Sequence, residues 1–137
     1  MFLLDTNVVS ELRRRKRAAP QVLAWADPVD PSDLFVSAVT ILELEKGALL
    51  LKRRDAPQAA VLERWIRSDV LRSFAARILP FDQAVALRCA PLHVPHSRPE
   101  RDAMIAAAAL EHHLTLVTRN VADFAPMGVP IFNPWTD

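Results

Sequence analysis

The sequence predicts an α/β protein: a parallel sheet of four to five strands flanked by helices on both faces. Three observations carry this. Apolar runs rich in branched residues recur at 2–4 (FLL), 34–37 (LFVS), 77–79 (RIL) and 114–118 (LTLVT), with a fifth at 129–132 (VPIF). Helical patterns fill most of the chain between them. Strands separated by helices require right-handed crossovers, which lay the strands parallel and cover the sheet on both sides. With 137 residues and 51% hydrophobic content, the chain suits a single domain spanning 1–137 with a substantial core.

Taken in order, Phe2–Leu4 is apolar on both faces, as in a strand buried inside a parallel sheet, and it stops at a carboxylate, Asp5. Thr6 suits the cap of a helix through Val8, Val9 and Leu12, and PQVLAWA forms a second short helix. After LFVS, Thr40 suits the cap of TILELEKGALLLKRR. Pro57 opens a long amphipathic helix through Val61, Leu62, Trp65, Ile66, Val70 and Leu71. Asp82 caps DQAVALRCA, and Pro99 fits the first helical position of PERDAMIAAAALEHH.

Composition excludes several functions. Gly47 and Gly128 are the only glycines, too few for a glycine-rich phosphate loop or a G-x-S-x-G elbow. A single cysteine, Cys89, permits no internal disulfide and no multi-cysteine zinc site, which agrees with a reducing compartment. No run approaches ~18 apolar residues, and the N-terminus lacks the basic-then-apolar order of a signal peptide. The expected location is cytoplasmic, with no membrane association. Cys89, His93 and His96 make C-x₃-H-x₂-H, but a zinc site needs a fourth ligand that the sequence does not supply. The three tryptophans and six phenylalanines suit core or interface anchors, not a base-stacking platform.

In a parallel sheet, strand C-terminal ends open into the ligand crevice where the winding direction reverses. Asp5 ends the first strand, Asn120 and Asp123 follow the fourth, Glu43 is expected in the first turn of the helix after the second, and Asp102 opens the helix leading into the fourth. These side chains can converge on one mouth. Each acid also has a structural reading, as a helix cap, a macrodipole partner or a solvated charge. Against that, AMIAAAAL after Asp102 is apolar almost all round and therefore buried, which leaves the acid at the edge of a covered helix. Two carboxylates 4 Å apart repel by roughly 4 kcal/mol at an effective dielectric near 20. A cluster therefore needs a proton or a cation, and oxygen-only donors suit Mg²⁺ or Mn²⁺. Such an ion supports phosphodiester hydrolysis. Glu45, two residues from Glu43, is turned about 200° away on the helix and is excluded from the mouth.

MFLLDTNVVSEL, VSAVTILELEKG, RDAMIAAAA and LVTRNVADF, in this order and at these separations, resemble the PIN-domain ribonucleases, specifically the VapC-type toxins of bacterial toxin–antitoxin pairs. The ending IFNPWTD is similar to the FitB-like branch. The resemblance spans essentially the whole chain. It implies a PIN-like sheet, Mg²⁺- or Mn²⁺-dependent RNA cleavage, inhibition by a VapB-type antitoxin, a homodimer and a hetero-oligomer with the antitoxin. Matched residue by residue, the catalytic metal-binding acids are Asp5, Glu43, Asp102 and Asp123, with Thr6 and Asn120 as supporting polar groups. Many relatives carry Asp where this chain has Asn120. The alternative is a PIN-like module that binds RNA or a partner without cutting.

Net charge is only +1, but Arg13, Arg14, Arg15, Lys16 and Arg17 are consecutive. Three readings stay open for this run: a solvated face, a phosphate-backbone contact flanking the acidic mouth, and a contact with an acidic antitoxin segment. A phosphotransfer domain is a further rival. Its phosphatase form needs D-x-D after the first strand, where this chain has Asn7, and its receiver form would use Asp82.

Overall fold

The computed structural model describes residues Met1–Asp137. The five strands are β1 (Phe2–Leu4), β2 (Leu34–Ser37), β3 (Ile78–Leu79), β4 (Thr115–Val117) and β5 (Ile131–Phe132). All pairings are parallel, in the order β3-β2-β1-β4-β5. The chain winds outward from β1 to one edge and then to the other, so the reversal lies between β1 and β4. The register sets Leu4 against Val117, and the Asp5 N–H donates to the Val117 carbonyl at 2.9 Å.

Helix α1 (Thr6–Arg13) follows β1, α2 (Pro20–Ala26) precedes β2, and α3 (Ala38–Lys52) follows β2. The long amphipathic segment divides into α4 (Ala56–Trp65), a π-helical turn (Ile66–Val70) and α5 (Leu71–Ser73). Further along are α6 (Gln83–Cys89), α7 (Glu100–Glu111) and the short α8 (Val121–Phe124). No helix is long and apolar enough to cross a membrane.

Leu3 and Leu4, adjacent in β1, point to opposite faces and enter two separate cores. Leu3 joins Ile105, Ala106, Leu116 and Phe124 beneath α6 and α7, whereas Leu4 joins Val8, Val36, Ile66 and Val117 beneath α1, α3 and α4. Burial of each leucine contributes about 1.5–3 kcal/mol. Helix α7 is as enclosed as its composition predicts, with Ala103 and Ile105–Ala109 all buried. Its alanines let the helix lie close on the sheet, which carries its first turn to the strand ends.

Three N-terminal caps differ from the sequence expectation. Asp5, not Thr6, caps α1, accepting from the Thr6 N–H at 2.8 Å. Ser37, not Thr40, caps α3 through Val39 N–H. Pro99 stands at the cap position of α7, one residue before the helix. In the first two cases the cap stands earlier than the expected hydroxyl, one residue before Thr6 and three before Thr40, so the residue with extended backbone at the cap is Asp5 or Ser37. Asp82 caps α6 as expected, accepting from Val85 N–H at 3.0 Å. It follows the edge strand β3 and stands away from the reversal point, which removes the receiver-type reading.

Candidate metal centre

Asp5 is the centre of the site. It sits at the C-terminal end of the middle strand, 4% exposed, with three donors fixing its two oxygens. Thr6 N–H reaches Oδ1, while the Thr118 hydroxyl donates to Oδ2 at 2.7 Å and Asn7 Nδ2 at 3.1 Å. Burial raises the Asp5 pKa above its ordinary value and Glu43 adds to the rise, against the lowering by these hydrogen bonds.

Glu43 lies in the second turn of α3. The Thr6 hydroxyl donates to its Oε1 at 2.6 Å and lies 3.0 Å from the Thr40 hydroxyl. The displaced caps thus acquire a different use: Thr6 and Thr40, released from capping, tie α1 to α3 and hold Glu43 toward Asp5. Its other oxygen is 3.8 Å from Arg101 Nε. Glu45 faces away and forms a paired contact with Arg67, at 2.9 and 3.1 Å. A β-carbon at Gly47 would meet nothing within 4 Å, so that position borders open solvent and makes no close approach to Glu43.

Asp102 projects from the first turn of α7. Burial, then the negative charges of Asp5, Asp123 and Glu43, push its pKa from 3.8 up to about 6, with Arg101 opposing. Four carboxylates from four different segments therefore share one field. Asp123, in α8, is exposed and belongs to that field through Asp102. Asn120 is the N-cap residue of α8; its backbone N–H donates to Thr118 Oγ1 at 3.0 Å, and its carbonyl accepts from Asp123 N–H at 3.2 Å. These two backbone bonds fix the geometry of the loop that carries Asp123.

Folded Asp102 keeps its proton up to about pH 6, while the unfolded chain releases it near 3.8. Between these values the native state binds more protons, so its stability falls as pH rises through that window and levels off above it. We predict that Asp102→Asn raises the melting temperature of the metal-free protein above pH 6 and that the gain vanishes toward pH 4. Thermal melts across this range in chelator measure it; a pH-independent difference would dissociate Asp102 from the acidic cluster.

Arg13 to Arg17 begin at the C-terminal end of helix α1, which starts beside Asp5 and spans eight residues, about 12 Å at 1.5 Å per residue. None of the five pairs with Asp5, Glu43, Asp102 or Asp123. Arg101 is the cation that meets them. The Cys89, His93 and His96 group also separates: Cys89 is buried in the core, and His93 Nδ1 accepts from Arg98 N–H at 3.1 Å. An apolar cavity of about 130 Å³ lined by Leu4, Val9, Leu12, Trp65 and Phe74 has Asp69 as its one acid.

Thr118 and Arg101 are not singled out by the sequence reading, Thr40 reads there as a cap, and Asn7 reads only as an uncharged residue. Thr118 was detectable in principle: a polar residue closing an apolar strand is well placed to serve a carboxylate at the same level of the next strand.

No three of the acids close to ligating geometry around one point as they stand. The donor set nonetheless fits a hard divalent cation. Every donor is a carboxylate or hydroxyl oxygen, and the repulsion registered at Asp102 has one opposing cation nearby, Arg101. Fold and site together define a doubly wound parallel α/β protein whose chemistry is concentrated in an acidic, all-oxygen mouth at the sheet's reversal point.

A PIN domain model matches residues 2–126, and the chain belongs to the PIN domain family. It is similar to Toxin FitB of Neisseria gonorrhoeae, 39% identical over 142 residues with 100% of both chains covered. It is also similar to VapC ribonuclease Y4jK of Sinorhizobium fredii, 34% identical over 145 residues and 98% of each chain. Among solved structures, FitAcB from Neisseria gonorrhoeae superposes with a TM-score of 0.90 at 37% identity over 100% of both chains.

Proposed function

We propose that this chain is the toxin of a type II toxin–antitoxin pair and acts as a metal-dependent ribonuclease, hydrolysing RNA phosphodiester bonds until a VapB-type antitoxin binds it. The observation that most supports this reading is the convergence of Asp5, Glu43, Asp102 and Asp123 on one mutually repelling field at the strand ends. The similarity to a toxin and to a VapC ribonuclease over nearly the full chain supports it independently. Association as a homodimer, and with the antitoxin as a hetero-oligomer, belongs to the same proposal.

Asp5, Glu43, Asp102 and Asp123 would hold Mg²⁺ or Mn²⁺, which when bound polarises a phosphoryl oxygen and acidifies a water molecule. The protein's own groups prepare the site. Thr118, Asn7 and the Thr6 amide fix the rotamer of Asp5. Thr6 does the same for Glu43. Arg101, paired with Glu43 in the metal-free protein, is positioned to accompany an incoming phosphodiester. Asp102 needs to be ionised to act as a ligand, so metal binding is expected to weaken below about pH 6.

Asp123 is the most exposed of the four. Asp123→Asn is expected to lower Mn²⁺ affinity and to bring the Asp102 pKa down in the metal-free protein, since one negative neighbour is gone. Mn²⁺ titration measures the first effect. An unchanged affinity would reduce the site to three carboxylates.

Sequencing of RNA 5′ ends shortly after induction tests the function itself. Discrete new ends that disappear when Asp5 is replaced are expected. Intact RNA in the presence of folded, antitoxin-free protein would favour the module that binds without cutting.

A further inference from the structure

The five cations at 13–17 remain unused by the site. They form an open concavity lined by Arg13, Arg14, Arg15, Lys16 and Arg17 and by no apolar side chain. The residues differ in how they are held. Arg13, ending α1, is partly buried with its guanidinium 5.7 Å from the Trp65 ring centroid. Arg15 pairs with Asp27 at 2.8 Å, the one ion pair made by the run. Arg14, Lys16 and Arg17 are exposed and have no acidic partner. Two anchored cations thus set the shape of a turn that presents three free ones.

We propose that this turn is an RNA exosite, which holds the phosphate backbone of the substrate about one helix length from the bond that is cut. The proposal rests on the ribonuclease reading for the identity of the polyanion. A phosphate backbone suits the surface better than a protein partner, because a protein interface needs apolar anchors at its centre and this concavity has none. The spacing suits it too. The roughly 12 Å length of α1 corresponds to about four nucleotide steps at 3.4 Å each along a stacked strand. Substrates that extend past the mouth would reach the turn, and a trinucleotide would not.

The test compares a fluorescent hairpin RNA of about 20 base pairs with a trinucleotide, for the free toxin and for Arg14→Gln/Lys16→Gln/Arg17→Gln. These three side chains carry no packing or ion pair, and Arg13 and Arg15 stay in place to keep the turn. The preference for the hairpin over the trinucleotide is expected to fall about tenfold at moderate salt. The slope of log affinity against log salt for the hairpin is expected to drop by about 2–3, or 0.7–0.9 per lost phosphate contact. Asp27→Asn, which frees Arg15, is expected to steepen that slope by about 0.7–0.9. An unchanged hairpin affinity and slope in the folded triple variant would overturn the exosite. So would loss of antitoxin binding or of duplex DNA binding with hairpin RNA binding intact, since the run would then serve another partner. If the wild type binds the hairpin through these residues but cleaves neither RNA, the ribonuclease reading fails while phosphate binding by the turn is upheld.

Discussion

Asp5→Asn, Glu43→Gln and Asp102→Asn are each expected to reduce RNA cleavage by more than about 100-fold, because replacement of groups that only support metal ligands already costs 10–100-fold. An amide keeps the shape of the carboxylate and loses the charge that a hard cation needs. The fold should survive in all three variants. At Asp102 the charge is a burden in the metal-free protein, as its raised pKa records. At Asp5 two effects oppose: the buried charge is removed, but the amide keeps an acceptor at only one of the two oxygen positions, so either Thr6 N–H or the Thr118 and Asn7 donors lose theirs. Glu43→Gln keeps an oxygen for the Thr6 hydroxyl. Chelation of the wild type should reproduce the loss. Glu45→Gln serves as the control: it stands two residues from Glu43 but is held outward by Arg67, and should cleave normally. Cleavage at the wild-type rate by the triple variant Asp5→Asn/Glu43→Gln/Asp102→Asn would end the metal hypothesis, and an inactive Glu45→Gln beside an active Glu43→Gln would mean that α3 is rotated.

Thr118→Val is expected to cost 10–100-fold in Mn²⁺ affinity and in cleavage, with about 1–3 kcal/mol of stability. Thr118 is fully buried beside Asp5. Its hydroxyl donates to Asp5 Oδ2 at 2.7 Å and accepts from Asn120 N–H at 3.0 Å, so one oxygen links the Asp5 carboxylate to the loop that carries Asp123. Valine fills the same space and satisfies neither group. Removal of a bond that lowers the Asp5 pKa also moves its ionisation to higher pH, which shifts the metal-binding profile upward. Thr118→Ser should restore both affinity and profile. Stability lost without any change in Mn²⁺ affinity or pH profile would make Thr118 a packing residue and not a positioning one.

Much of the site is legible in linear order. Of the four acids proposed for the site, Asp5 directly follows an apolar strand, Glu43 and Asp123 lie in the helices that follow two others, and Asp102 opens a buried helix; crossover rules send those strand ends to the same side of the sheet. The alanine-rich composition of α7 identifies its burial before any contact is known, since only small side chains permit a helix to be enclosed so closely. Glu45 is separated from Glu43 by helical rotation alone. These features depend on periodicity and on chain direction, both of which are local.

The tertiary structure decided what depends on register and on competition between neighbours. Asp5 and Thr6 are both good capping residues, and so are Ser37 and Thr40. The choice fell to the member at the strand's end, where the backbone is still extended, and the losing hydroxyls meet each other, with Thr6 bonding Glu43. Thr118 serves Asp5 only because β1 and β4 pair with Leu4 opposite Val117; a one-residue slip would turn the hydroxyl to the other face. The basic run begins where α1 ends, about 12 Å of helix from the residue that Asp5 caps, and the cation that pairs with an acid of the candidate site is instead Arg101. A sequence places residues along a line, and only the register between strands and the heading of each helix place their side chains face to face.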